Sequence, residues 1–201
     1  MSVQIKDLEL LDVVREFTLA HPHPAVQRFS DSMRDWGDDW IAVEPAHLPA
    51  ANLLAGAIAS TDQHTCPLVE TFERHKNHLC WEQSYRKEDD VVPDAMLEGY
   101  AFAEIIGKQG PFVSDRIRAG IGIWGPRIVY PRHQHQAEEI YIVLAGAAEF
   151  KIGEVKETRY QIGDVVSVES NTWHGFRTTD QILVVYYLWQ AGDLRQTSSF
   201  G

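Results

Sequence analysis

From residue 99 to residue 189 the sequence breaks into six short runs bounded by glycine or polar residues. They are GYAFAEIIG (99–107), RIRAGIGIWG (116–125), EEIYIVLAG (138–146), AEFKIG (148–153), GDVVSVE (163–169) and QILVVYYLW (181–189). Each is the length of a strand, each shows a period of two or a short apolar core, and no helical stretch separates them. Closely spaced strands without crossover helices leave a sandwich or a small barrel as the available architectures.

The chain before this region reads differently. Leu8, Leu11, Val14 and Phe17 recur at helical spacing. HPHP at 21–24 ends that helix, because Pro22 and Pro24 lack backbone donors. Val26, Phe29, Met33 and Trp36 line a second helix that Gly37 is placed to stop. Residues 38–50 read as loop, and Pro67 opens a further helix with Leu68, Phe72 and Leu79 among its buried positions. The expected organisation is mainly β: residues 1–95 form an α-helical N-terminal extension packed on the barrel, 96–192 form the barrel, and 193–201 form a C-terminal tail.

Chemistry concentrates in HQHQAEEIYIVLAG, residues 133–146. Alternate strand residues share a face, so Glu139, Tyr141 and Val143 point one way and Ile140, Ile142 and Leu144 the other. His133 and His135 are also two apart and share a side if that stretch is extended. Imidazoles and a carboxylate turned into one barrel suit a divalent first-row metal. Glu138 has the opposite parity and is expected to face outward or to orient a neighbour. His174, in the turn that follows GDVVSVE, is the candidate third histidine. Ligands of this kind with open positions are the pattern of a catalytic metal site. His133 is left open as a ligand or as a residue behind the ligands. The same His-x-His spacing at His21 and His23 lies between prolines with no carboxylate at strand spacing, and it is given no role. His64, Cys66, His75, His78 and Cys80 do not match a common structural zinc spacing, and burial of Cys80 beside Trp81 is the simpler reading.

His133-x-His135-x₃-Glu139-x₆-Gly146 resembles the first motif of the cupins, and Gly163 to His174 resembles the second. The resemblance implies a double-stranded β-helix barrel with the metal inside. The chain departs from the usual pattern at Arg127 and Asn171, where glycine is usual, at Glu169, where proline is usual, and at Thr178, where asparagine is usual. Within the cupins the chain resembles the dimethylsulfoniopropionate lyases of the DddQ and DddL types. The matching stretches are HQHQAEEIY, LAGAAEFK, WEQSYR (81–86), GYAFAEIIGKQGPF (99–112), GPRIVY ending in Tyr130, and YLWQAGDL (187–194).

That resemblance implies a lyase acting on a small zwitterion with a carboxylate at one end and a dimethylsulfonium at the other, released as acrylate and dimethyl sulfide. It implies one divalent transition ion (iron, manganese, zinc, nickel or cobalt) held by His133, His135, Glu139 and His174. Tyr141 matches the position of the family's base, and strand parity puts it beside the ligands. Tyr130 is expected at the mouth, holding substrate or assisting the proton step. Tyr85, Tyr100, Phe102, Trp124 and Trp189 are candidates to receive the sulfonium, a soft cation that favours aromatic faces. Two other readings stay in view: a different metal-dependent cupin enzyme, such as a dioxygenase or an isomerase, and a non-catalytic cupin that binds a small ligand.

A formal net charge of −11 argues against nucleic acid and membrane surfaces as partners. Cys66 and Cys80 do not make a disulfide framework, and the opening MSVQIKDLELLDVVREF has no long apolar core. A cytoplasmic protein with reduced thiols is expected. Oligomeric state stays open, with a homodimer among the options.

Overall fold

The structure is a computed structural model and describes residues 2–34, 39–89, 92–195 and 199–200. The helices are α1 (Val3–Ala20), α2 (Pro24–Arg34), α3 (Leu54–Ala57), α4 (Cys66–His75) and α5 (Asp94–Gly99). The strands are β1 (Trp81–Glu82), β2 (Tyr100–Gly107), β3 (Phe112–Val113), β4 (Ile117–Trp124), β5 (Val129–Gln134) and β6 (Glu138–Ala145). They continue as β7 (Ala147–Ile152), β8 (Thr158–Gln161), β9 (Val165–Val168), β10 (His174–Thr178), β11 (Leu183–Gln190) and β12 (Ser199–Phe200). One sheet runs β1-β2-β4-β11-β6-β9 with β3 added beside β2, and the other runs β12-β5-β10-β7-β8. Every strand pair is antiparallel except β2 with β3. This is a cupin double-stranded β-helix with helices packed against it at the N-terminal side.

The first sheet is buried on both faces, which is why its strands read as near-continuous apolar runs. Ala101, Ala103, Ile121, Ile140, Ile142, Val184 and Tyr186 turn outward and join one core with Leu10, Val14, Phe29, Leu68 and Phe72 of the helices. The alternate set, including Tyr100, Trp124, Tyr141, Val143, Val185 and Tyr187, turns inward to meet Phe150 and Phe176 of the second sheet. Thr18 on α1 shares a buried hydrogen bond of 2.9 Å with the Tyr186 hydroxyl, fastening helix to barrel.

The helices follow the sequence pattern with adjustments. Leu8 is exposed, because the buried face of α1 runs through Asp7, Leu10, Leu11, Val14 and Thr18. Asp7 can be buried there because the Trp40 indole N–H donates to it at 2.8 Å. On α2, Val26, Phe29 and Met33 are buried as expected. Trp36 and Gly37 lie outside the described residues. Leu79 is buried but not helical: α4 ends at His75, a 3₁₀ turn takes Lys76–His78, and the Trp81 indole N–H donates to the Lys76 carbonyl. Six strands escaped the apolar pattern, namely β1, β3, β5, β8, β10 and β12. In particular, His174 opens a strand instead of sitting in a turn.

Three of the positions where the chain departs from the usual cupin pattern, Arg127, Asn171 and Thr178, have structural answers. Arg127 and Asn171 both adopt left-handed backbone, with φ of 58° and 56°. The turns therefore keep the geometry that glycine ordinarily serves, at a steric penalty for a side chain. Thr178 staples the same turn: its hydroxyl accepts from the Ile128 N–H and donates to the Gly125 carbonyl, both at 2.8 Å. Asparagine is tolerant of this backbone region and arginine is not. Arg127→Gly should therefore raise stability by about 0.5–1 kcal/mol, or roughly 1–4 °C in melting temperature. The ion pair it forfeits, to Asp180 at 3.5 Å, is largely exposed and worth little. Thermal denaturation of the two proteins checks this.

Candidate active site

Four side chains from two stretches of the chain, 133–139 and His174, meet inside the barrel. One ligand atom from each of His133, His135, Glu139 and His174 lies within 4.8 Å of the others. All four residues are buried, His174 completely. His133 lies on β5 and is paired directly with His174 on β10, and Glu139 lies on β6 of the other sheet. A register shift marks a bulge in β5 beside the site: three steps from Tyr130 to His133 face two from Phe176 to His174.

The ring nitrogens are sorted by local hydrogen bonds. The Nδ1 of His133 meets the Pro131 carbonyl at 3.0 Å, that of His135 the Ala137 carbonyl at 2.9 Å, and that of His174 the Thr172 carbonyl at 2.8 Å. A carbonyl only accepts, so each Nδ1 carries the proton. Each ring therefore leaves Nε2 as the free ligand atom. The Nε2 atoms of His135 and His174 approach Glu139 Oε2 at 3.0 and 3.2 Å. Lone pairs brought this close in a buried space require a proton or a cation among them. His174 Nε2 has no hydrogen-bond partner among the described residues. The donor set therefore fits a divalent metal.

The charges agree. Burial, and then the His174 ring, push His133 down to about 3 and keep it neutral. Burial alone would raise the Glu139 carboxyl, but its contacts with His135 and His174 outweigh this and hold it well below the usual carboxylate range.

Trp189 is a support for this group. Its indole N–H donates to Glu139 Oε1, and its ring stacks on His135 at 3.9 Å and 27°. Behind it the Arg118 guanidinium lies 4.8 Å from the ring centroid and bonds Glu104 at 2.5 Å. Glu138, of opposite parity, faces outward to Arg28 and Gln190.

A cavity of about 310 Å³ opens beside the cluster, and its wall includes Tyr130, His133, Glu139, Tyr141, Tyr187 and Trp189. Tyr141 is buried, and burial first, then the Glu139 charge, raise its phenol well above the ordinary range. Tyr130 is raised likewise, by burial and then by Tyr100 and Tyr85, and its ring stands edge-on to His133 at 5.3 Å.

A family model for dimethylsulfoniopropionate lyase matches residues 24–185. The chain belongs to the dimethylsulfoniopropionate lyase family. The lyase DddQ of Ruegeria pomeroyi is 32% identical over 152 residues, covering 76% of this chain and 74% of that protein. The crystal structure of Ruegeria pomeroyi DddQ matches with a TM-score of 0.82 at 28% identity, over 98% of this chain and 96% of that one. A chain from the crystal structures of the lyases RdDddP and RnDddQII matches in fold with a TM-score of 0.87 at 24% identity over the whole of both chains. Membership in the dimethylsulfoniopropionate lyase family makes this chain a carbon–sulfur lyase.

The aromatic candidates divide within this family member. Phe102, Trp124 and Trp189 line the cavity. Tyr85 and Tyr100 pack against Tyr130, with ring centroids 5.7 and 5.5 Å away, and are not among the lining residues. Tyr187 and Arg118 were not singled out from the sequence, yet both line the cavity. A signal for Tyr187 was available: Gly120 and Gly122 alternate along β4 and leave room for rings on the inner face. The other histidines lie elsewhere, with His75 on Glu9 at 2.8 Å and His78 beside Asp7 at 3.4 Å. No helix among the described residues is long and apolar enough to cross a membrane.

Trp189→Phe keeps a ring over His135 and removes the N–H that holds Glu139. If this group holds a metal, the variant should bind it about 10–100-fold more weakly, the usual effect of losing an outer hydrogen-bond partner. Competition against a chelator measures it.

Proposed function

We propose that this protein cleaves dimethylsulfoniopropionate to dimethyl sulfide and acrylate by β-elimination, with Tyr141 as the base. The observation that carries the reading is a buried phenol, two residues along the strand from Glu139, facing one cavity with a metal-competent quartet in a member of this family. His133, His135, Glu139 and His174 would hold one divalent transition ion. When bound, the ion supplies Lewis acidity for the substrate carboxylate and a positive charge that favours the Tyr141 phenolate.

The protein's own residues do the rest. The Tyr141 oxygen takes the proton from the carbon next to the carboxylate. That C–H pair becomes the new double bond as the carbon–sulfur bond breaks, and its electrons leave on sulfur. One zwitterion thus gives neutral dimethyl sulfide, the acrylate anion and one proton, which Tyr141 passes to water. Tyr130 keeps its proton and positions substrate beside His133. Phe102 and Trp189 in the cavity wall offer aromatic faces to the sulfonium.

The test is headspace detection of dimethyl sulfide from metal-loaded protein given the substrate, with and without oxygen. Equal release in both supports elimination. Release that needs oxygen, or none with the ion present, overturns it.

A further inference from the structure

Two polar atoms in the cavity wall are unused by this mechanism. The Trp124 indole N–H and the Tyr187 hydroxyl are buried, the residues being 4% and 7% exposed, and neither has a hydrogen-bond partner among the described residues. Both residues line the cavity that holds His133, Glu139 and Tyr141. Unpaired buried donors are rare in native proteins and call for a partner from outside the chain.

The two rings are held firmly. Trp124 stacks on Tyr100 at 6.4 Å and 15° and meets Phe176 edge-on at 5.0 Å. Tyr187 stands edge-on to Phe102 at 6.4 Å. Their places are reserved by missing side chains. A Cβ at Gly120 would lie 2.6 Å from the Tyr187 hydroxyl oxygen, and one at Gly122 would lie 2.4 Å from the Trp124 ring. Rigid donors of this kind are pre-organised and lose little freedom on binding.

An indole N–H only donates. The Tyr187 phenol is raised well above its ordinary range, by burial and then by Glu104 against the pull of Arg118, so it too keeps its proton. Beside the cationic residues of the wall, among them Lys108 and Arg118, these two add neutral donors for an acceptor. In a sulfonium carboxylate the only strong acceptors are the carboxylate oxygens, since the sulfonium has none to offer.

We propose that Trp124 and Tyr187 bind the substrate's carboxylate and so select a carboxylate-terminated sulfonium over one that lacks that group. The substrate's identity rests on the lyase reading, but the acceptor site itself does not. Tyr187→Phe keeps the ring and removes only the donor, and Trp124→Phe removes the other. Calorimetry on the metal-loaded proteins would use two probes, propionate for the carboxylate half and trimethylsulfonium for the other half. Each variant should bind propionate roughly tenfold or more weakly, and Tyr187→Phe should bind trimethylsulfonium as the unsubstituted protein does. In turnover, Tyr187→Phe should raise KM for dimethylsulfoniopropionate more than it lowers kcat.

Unchanged propionate affinity in Tyr187→Phe overturns the proposal, as does equal weakening of both probes or no propionate binding by the unsubstituted protein. The two readings fail separately. Tyr187-dependent propionate binding without dimethyl sulfide release keeps this site and removes the lyase reading. Dimethyl sulfide release with unchanged KM and propionate affinity in Tyr187→Phe does the reverse.

Discussion

Tyr141→Phe should lower turnover of dimethylsulfoniopropionate by about 10²–10⁴-fold, the usual contribution of a positioned base. The change deletes one oxygen and keeps a ring that packs on Phe150 and Phe176 at 5.7 and 6.3 Å. Metal content should survive, because the quartet is untouched. KM should move little if other groups hold the two ends of the substrate. The pH profile adds a second reading. Burial, and then Glu139, raise the phenol of the metal-free protein, so its basic form is scarce at neutral pH. The base acts only when deprotonated, so kcat should climb with pH until the phenol, lowered by the bound cation, is fully ionised. That limb should vanish in Tyr141→Phe. Near-normal dimethyl sulfide release would remove Tyr141 from the chemistry, and a larger loss in Tyr130→Phe would move the role to Tyr130.

His174→Ala should leave the purified protein essentially free of metal after dialysis. Losing an outer partner weakens metal binding about 10–100-fold, so deleting one of the ligands should exceed a hundredfold. His174 is completely buried, and truncation there also opens a void. Glu139→Gln is the companion, since it keeps the volume and removes the charge. Both variants should keep the β-rich circular dichroism of the parent while elemental analysis shows the loss. Full occupancy in either would mean that the quartet does not bind the ion.

What the sequence revealed follows from where each strand sits. β2, β4, β6 and β11 are buried on both faces, so each reads as a near-continuous apolar run, interrupted only at residues such as Glu104 and Arg118. β5 and β10 read as VYPRHQ and HGFRT, with exposed or half-buried residues between the buried ones and a proline inside β5. Only inward residues such as Tyr130, His133, His174 and Phe176 mark them, and two or three positions are too few for a period. β1, β3 and β12 have two residues each, which is below what alternation can register. The quartet was legible for a separate reason: three of its members, His133, His135 and Glu139, fall within seven positions. Tyr187 was hidden inside QILVVYYLW, where its role depends on the empty space over Gly120 across the sheet. Trp189 looked like an aromatic wall, but its N–H on Glu139 appears only once β11 and β6 are in register.

The quartet draws on two opposed walls of the barrel, with Glu139 on one sheet and His133 and His174 on the other. Its dimensions therefore act as a gauge of the spacing between the sheets. Phe150 and Phe176, paired neighbours on the second sheet, reach Tyr141 of the first at 5.7 and 6.3 Å and help fill the space between the walls. A smaller residue at either place would let the walls settle toward each other. The four ligands would then be out of true without any of them having been altered. Selection on the interior filling is thus also selection on the geometry of a group that could hold a metal ion.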